Sequence, residues 1–143
     1  MQVKVKKLNE NAVLPTHGSE DAAGWDLYTL DGFSVKPYST EKVGTGLAFE
    51  LPKDTFAAIF ARSGLAADVG LRPANCVGVC DADYRGEYIV AIHNDGGQTV
   101  HIGPGERIAQ MVLLPFIPME LEEVDELSDT VRGEGGFGST GVD

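Results

Sequence analysis

Turn-forming residues interrupt this chain so often that a long helix has no room to form. Its 143 residues include 18 glycines and 7 prolines. Asp31-Gly32, Asp95-Gly96-Gly97 and Pro104-Gly105 are each turn signals. Between such points lie stretches with the two-residue alternation of strands: Val3 to Lys6, Lys42 to Leu47, and Glu87 to Ile92. Thr55 to Phe60 and Ile108 to Phe116 are short apolar runs bounded by turn residues. This spacing predicts an all-β sandwich or barrel. Ser63 to Val69 has the length for one or two helical turns. Met119 to Asp129 is ambiguous, because Leu121, Val124 and Leu127 fit a helical stripe. The six acids that begin at Glu120 favour an extended, solvated connector instead. No internal repeat and no second domain is visible.

The length suits one domain with its own core. A hydrophobic content of 43% and a charged content of 23% are ordinary for a soluble globular protein. The formal charge of −11 argues against a nucleic-acid polymer or an anionic membrane as the main partner. Cations are unevenly placed. All lysines lie at or before Lys53, and every later base is an arginine: Arg62, Arg72, Arg85, Arg107 and Arg132. The planar guanidinium fork matches phosphate oxygens in a way lysine does not. Local anion sites that work with a divalent cation are therefore expected. In a strand, Cys76 and Cys80 would lie ~13 Å apart, too far for a disulfide. They read as small buried residues in a reduced compartment. The start, MQVKVKKLNENAVLP, lacks the apolar core of a signal peptide, and no stretch approaches the ~18 apolar residues of a membrane span. The expectation is a soluble intracellular protein, cytoplasmic by default, with nucleus and organelle left open.

The tail is different in kind. Arg132 to Gly141 (RGEGGFGSTG) holds five glycines and one large apolar residue, Phe137. Such a stretch cannot bury enough surface to order itself. It mimics a phosphate loop but lacks the lysine and following helix of a P-loop. Four other stretches concentrate residues suited to phosphate chemistry: Ala22 to Tyr28 (AAGWDLY), Ala61 to Ala66 (ARSGLA), Gly78 to Glu87 (GVCDADYRGE) and Gly105 to Met111 (GERIAQM). Taken singly, each is an ordinary turn or hairpin corner.

Together and in this order, the five stretches resemble the five motifs of the trimeric dUTPase family, from about Val3 to Gly141. The resemblance implies a distorted jelly-roll (β-clip-like) subunit at residues 1–131 and a flexible glycine-rich arm at 132–143. It implies a homotrimer whose shared sites take motifs one, two and four from one chain, the third from another, and the arm from the remaining chain. The implied reaction is hydrolysis of dUTP to dUMP and pyrophosphate by water attack on the α-phosphorus, with Mg2+ held mainly by phosphates and water. Asp81 matches the carboxylate that activates the water. Tyr84 matches the ring under the deoxyribose that leaves no room for a 2′-hydroxyl. Asn75 corresponds to a uracil-contacting position. Arg62, Ser63, Gly64 and Gln110 match phosphate contacts, and Asp26 with Arg107 a supporting salt bridge. In the arm, Arg132, Gly138, Ser139 and Thr140 would grip the γ-phosphate while Phe137 stacks on uracil. His17, His93 and His101 need no catalytic role. Departures from the family pattern are Cys80 for the commoner isoleucine, Trp25 for tyrosine and Ala61 for proline. Two rivals were weighed: a dCTP deaminase-like enzyme sharing the fold, and a non-catalytic nucleotide-sensing trimer. The tail and the Asp81-Ala82-Asp83-Tyr84 hairpin favour dUTPase over the first. Retention of Asp81, Arg62 and Gln110 speaks against the second.

Overall fold

The alternating stretches become short antiparallel strands in a computed structural model that describes residues 1–138 and 141. In chain order they are β1 (Lys4–Lys7), β2 (Trp25–Tyr28), β3 (Phe33–Val35), β4 (Thr40–Gly44), β5 (Leu47–Glu50), β6 (Thr55–Phe60), β7 (Leu71–Pro73), β8 (Gly78–Asp81), β9 (Ile89–Asn94), β10 (Val100–Ile102) and β11 (Arg107–Pro115). The largest sheet runs β2-β11-β6-β8, facing a three-stranded sheet β4-β9-β7 and the pairs β1-β5 and β3-β10. This is an all-β, jelly-roll-like subunit, as the turn density predicts.

Period-two patterning decides which side chains meet. On β6, Ala57 and Ile59 enter the core with Leu27, Leu47, Leu71, Val90, Ile92 and Met111. Phe56 and Phe60 point to the opposite face and stay half-buried. Asn94, fully buried, is kept there by bonds at each of its polar atoms. Its amide donates to the Val35 carbonyl (3.0 Å) and the Gln98 carbonyl (2.8 Å), and its Oδ1 accepts from the Gly96 N–H (2.8 Å).

The stretch read as one or two helical turns is a single π-helical turn, Leu65–Val69. Gly70 ends it by donating its N–H to the Leu65 carbonyl from a left-handed φ of 81°, a conformation that glycine adopts without a Cβ penalty. The acidic connector is exposed and forms no regular element. The Phe116 N–H to Asp54 carbonyl bond (3.0 Å) is the last backbone bond tying the C-terminal segment to the body, among the described residues. The reading of two buried strand cysteines is corrected. Cys76 is exposed and sits in a turn, with φ 62° and its N–H on the Pro73 carbonyl. β8 begins only at Gly78, so Cys80 alone belongs to it. Among the described residues, no helix is long and apolar enough to cross a membrane.

Asn94→Ala should lower unfolding stability by roughly 2–4 kcal/mol, because the Val35 carbonyl is left buried and unpaired. Urea denaturation at fixed protein concentration measures it. A loss below about 1 kcal/mol would show that water reaches these groups.

Candidate active site

β8 is the edge strand of its sheet, bonded to β6 alone. β9, which follows it in the chain, pairs instead with β4 and β7. The two strands therefore splay apart, and among the described residues one row of β8 backbone N–H and C=O groups is left without a strand partner. A cleft of about 310 Å³ lies along this edge, lined by Asn75, Gly78, Asp81, Tyr84 and, on the far wall, Ile89 to Ala91. Free backbone donors and acceptors beside a flat cleft suit the edge of a planar base. Asn75 stands at one end, in a turn closed by Ala74 N–H to Ala91 O (2.7 Å) and Val77 N–H to Asn75 O (2.7 Å). Gly78 has no side chain to spare. A Cβ there would press on Ile59 at 3.1 Å and on the Asn75 amide at 3.4 Å.

At the other end, the Tyr84 N–H bonds the Asp81 carbonyl (3.2 Å) to close a turn. The backbone of Asp81 thus makes the turn while its carboxylate stays exposed, with no hydrogen bond from any described residue. Arg85 braces the turn by donating to the Ala82 carbonyl (2.6 Å). The Tyr84 hydroxyl donates to the Glu87 carbonyl (3.0 Å), so the ring lies across Gly86, where any Cβ would overlap it. Burial pushes the Cys80 thiol up from its ordinary pKa, leaving an inert group in the cleft floor.

A second cluster forms where β2, β11 and the end of β6 meet. The Asp26 carboxylate accepts from Arg62 Nε (2.9 Å) and from an Arg107 terminal nitrogen (3.3 Å). Its side chain is only 17% exposed. The expected Asp26–Arg107 pair is present, and Arg62 joins it, a partnership that the sequence reading missed. A β-bulge explains the geometry. In a regular strand Arg107 and Gln110, three apart, would face opposite ways. Register shifts by one residue between Arg107↔Tyr28 and Ala109↔Leu27, which returns both to the face of Asp26. The Gln110 amide donates to the Ala61 carbonyl (2.9 Å). A Cβ on Gly24 would overlap the Gln110 side-chain oxygen. Ser63 and Gly64 are exposed beside this cluster.

The two groups do not meet within one chain. Asp81 lies opposite Phe56 and Gln110 opposite Phe60, four residue steps or ~13 Å along β6, and Arg62 is two residues farther on. Beyond Phe116, the bonds made by the described residues join only residues within 130–141. Arg132 donates to the Gly135 carbonyl (2.8 Å), Phe137 is 114% exposed, and Gly138 has φ 81°. Ser139 and Thr140 lie outside the described residues.

The dUTPase family model matches residues 10–141. The chain belongs to the dUTPase family. It is 45% identical over 141 residues to the deoxyuridine 5'-triphosphate nucleotidohydrolase of Nautilia profundicola, covering 99% of each chain. It is 46% identical to that of Oryza sativa, covering 98% of this chain and 81% of the relative. The solved dUTPase of Staphylococcus bacteriophage 80alpha with dUpNHpp superposes with a TM-score of 0.91 at 28% identity, covering 99% of both chains. In this subunit the Asp26 cluster and the cleft along β8 thus lie on separate parts of one body.

Gly24→Ala should displace the Gln110 amide without disturbing the core, since the overlapping atom ends a flexible side chain. Affinity for dUpNHpp by titration calorimetry should fall about three- to tenfold, the worth of one hydrogen bond, with an unchanged thermal midpoint. Unaltered affinity would remove Gln110 from the phosphate contacts.

Proposed function

We propose that the protein is a dUTP diphosphatase, hydrolysing dUTP to dUMP and pyrophosphate, which keeps uracil out of DNA and supplies dUMP for thymidylate synthesis. The observation that carries this reading is the cleft along the unpaired edge of β8, with Asn75 at one end and Asp81 and Tyr84 at the other. Uracil pairs with the free backbone groups and with Asn75. In this reading the wall of the cleft rejects a methyl at C5 by shape. Tyr84 lies under the deoxyribose, where a 2′-hydroxyl would collide with its ring. Asp81, its carboxylate unencumbered, takes a proton from the water whose oxygen attacks the α-phosphorus, and pyrophosphate leaves from the opposite side.

Arg62, Ser63, Gly64 and Gln110 hold the phosphates. Asp26, bonded to Arg62 through Nε, leaves both terminal nitrogens of that guanidinium for phosphate oxygens. Among the described residues, no group of three or more His, Cys, Asp or Glu could cage a cation. Hard oxygen donors for Mg2+ come instead from the triphosphate and water, an arrangement this donor set fits. Bound there, the ion would offset the negative charge that builds on the phosphates.

The distance along β6 supports a site shared between copies, with the cleft from one chain and the Asp26 cluster from another. So does the outer face of the β2-β11-β6-β8 sheet. There Phe56, Phe60, Val112 and Leu114 are half-buried and Val79 is 60% exposed, an apolar surface suited to a homotrimer contact. Residues 1–131 form the body in this reading. Residues 132–143 form the arm that closes a neighbouring site, with Arg132, Gly138, Ser139 and Thr140 on the γ-phosphate and Phe137 stacked on uracil. An intracellular, cytoplasmic location is part of the same reading.

Pyrophosphate release measured across dUTP, dCTP, dTTP and UTP tests the assignment, with dUTP alone expected to turn over efficiently. Asp81→Asn should bind dUTP within about tenfold of normal yet turn over on the order of 100- to 10,000-fold more slowly. Near-normal turnover would displace Asp81 from the role of base. Deleting residues from Arg132 onward should barely move the thermal midpoint while kcat/KM falls on the order of 100-fold through lost positioning. Full activity in the truncated protein would refute the arm's role.

A further inference from the structure

Tyr88 takes no part in the chemistry above, yet it is enclosed behind the cleft at 2% exposure. Its ring sits between two others. Phe49, a core residue on β5, lies 4.4 Å away between centroids with planes at 44°. Tyr84 lies 6.2 Å away with planes at 26°. Both spacings fall in the range of favourable aromatic pairs. A column of rings therefore runs from the core to the cleft: Phe49, Tyr88, Tyr84.

The Tyr88 hydroxyl contributes nothing visible to this arrangement. It is buried, and no nitrogen or oxygen of a described residue bonds it. Its polar neighbour is the Cys80 sulfur, a weak acceptor, and burial raises the phenol pKa well above its ordinary value. The ring is what the site uses. Tyr84 is tethered at its hydroxyl end by Glu87 and lies over Gly86, and both contacts are at that end of the ring. The neighbouring ring toward the core is that of Tyr88.

We propose that Tyr88 is a positioning residue for sugar discrimination: by backing Tyr84 it fixes the ring surface that excludes the 2′-hydroxyl. This rests on the reading of Tyr84 as the surface under the deoxyribose. Removing the Tyr88 ring leaves a void behind Tyr84, and the platform recedes enough to admit ribose.

The measurement is kcat/KM for dUTP divided by kcat/KM for UTP, in the full-length protein with magnesium. This ratio does not respond to partial unfolding, because both substrates sample the same folded fraction. Tyr88→Leu should lower it by about tenfold or more, since a hydroxyl is rejected here by shape alone. Tyr88→Phe should keep the ratio within about twofold and raise the thermal midpoint, since an unpaired buried hydroxyl is lost. Tyr88→Met serves as a second variant if Tyr88→Leu does not fold, with the same fall expected. Tyr84→Ala is the reference for a lost platform. A ratio preserved in Tyr88→Leu or Tyr88→Met while Tyr84→Ala collapses it overturns the role of Tyr88 alone. A wild-type protein without preference for dUTP overturns the reading of Tyr84 as well.

Discussion

A carboxylate that accepts from two guanidinium groups at once can sit only where three segments of chain converge, and Asp26 marks that point. Its bonds to Arg62 and Arg107 tie β2 to the loop after β6 and to the start of β11. The pairing is partly enclosed, so it is less screened than a surface ion pair, and losing the carboxylate would leave two like charges side by side. It also orients both arginines through Nε or a single terminal nitrogen, which keeps the remaining donors free. The bulge at the head of β11 makes this possible. Without that one extra residue, Arg107 and Gln110 would lie on opposite faces of the sheet, and Asp26 could not have both as neighbours.

The same sheet sets the distance between the two groups of site residues. β6 has β11 on one side and β8 on the other, so it connects the Asp26 cluster to the cleft along β8 while holding them apart. Half-buried apolar side chains, Phe56, Phe60, Val112 and Leu114, lie on the outer face of this sheet between the two. Two of the five arginines, Arg62 and Arg107, meet at Asp26, whereas six acids lie along the connector from Glu120 to Asp129.

Strands, turns and the extended acidic connector were legible in the sequence because period-two alternation, glycine and proline act locally. The dUTPase motifs were legible too, since each is a short run whose residue types suffice for recognition. Other features depended on residues far apart in the chain. Cys76 shares an apolar run with Cys80, yet it lies in a turn, because β8 starts only where Gly78 lets the chain pass Ile59. The partnership of Arg62 with Asp26 joins residues 36 apart. The bulge shows only as a mismatch between two registers, and the Phe49-Tyr88-Tyr84 column joins strand to hairpin.

The sequence by itself determined the class of fold, the family, and the composition that sets the glycine-rich tail apart. All of these follow from local backbone preference and from functional groups fixed covalently to their positions. Only the tertiary structure decided which of those groups are neighbours. It placed Asn75, Asp81 and Tyr84 around one cleft, gathered Asp26, Arg62, Arg107 and Gln110 some way off, and left β8 with an unpaired edge. Strand register and sheet order are set by how the whole core packs, and no window of neighbouring residues carries that information.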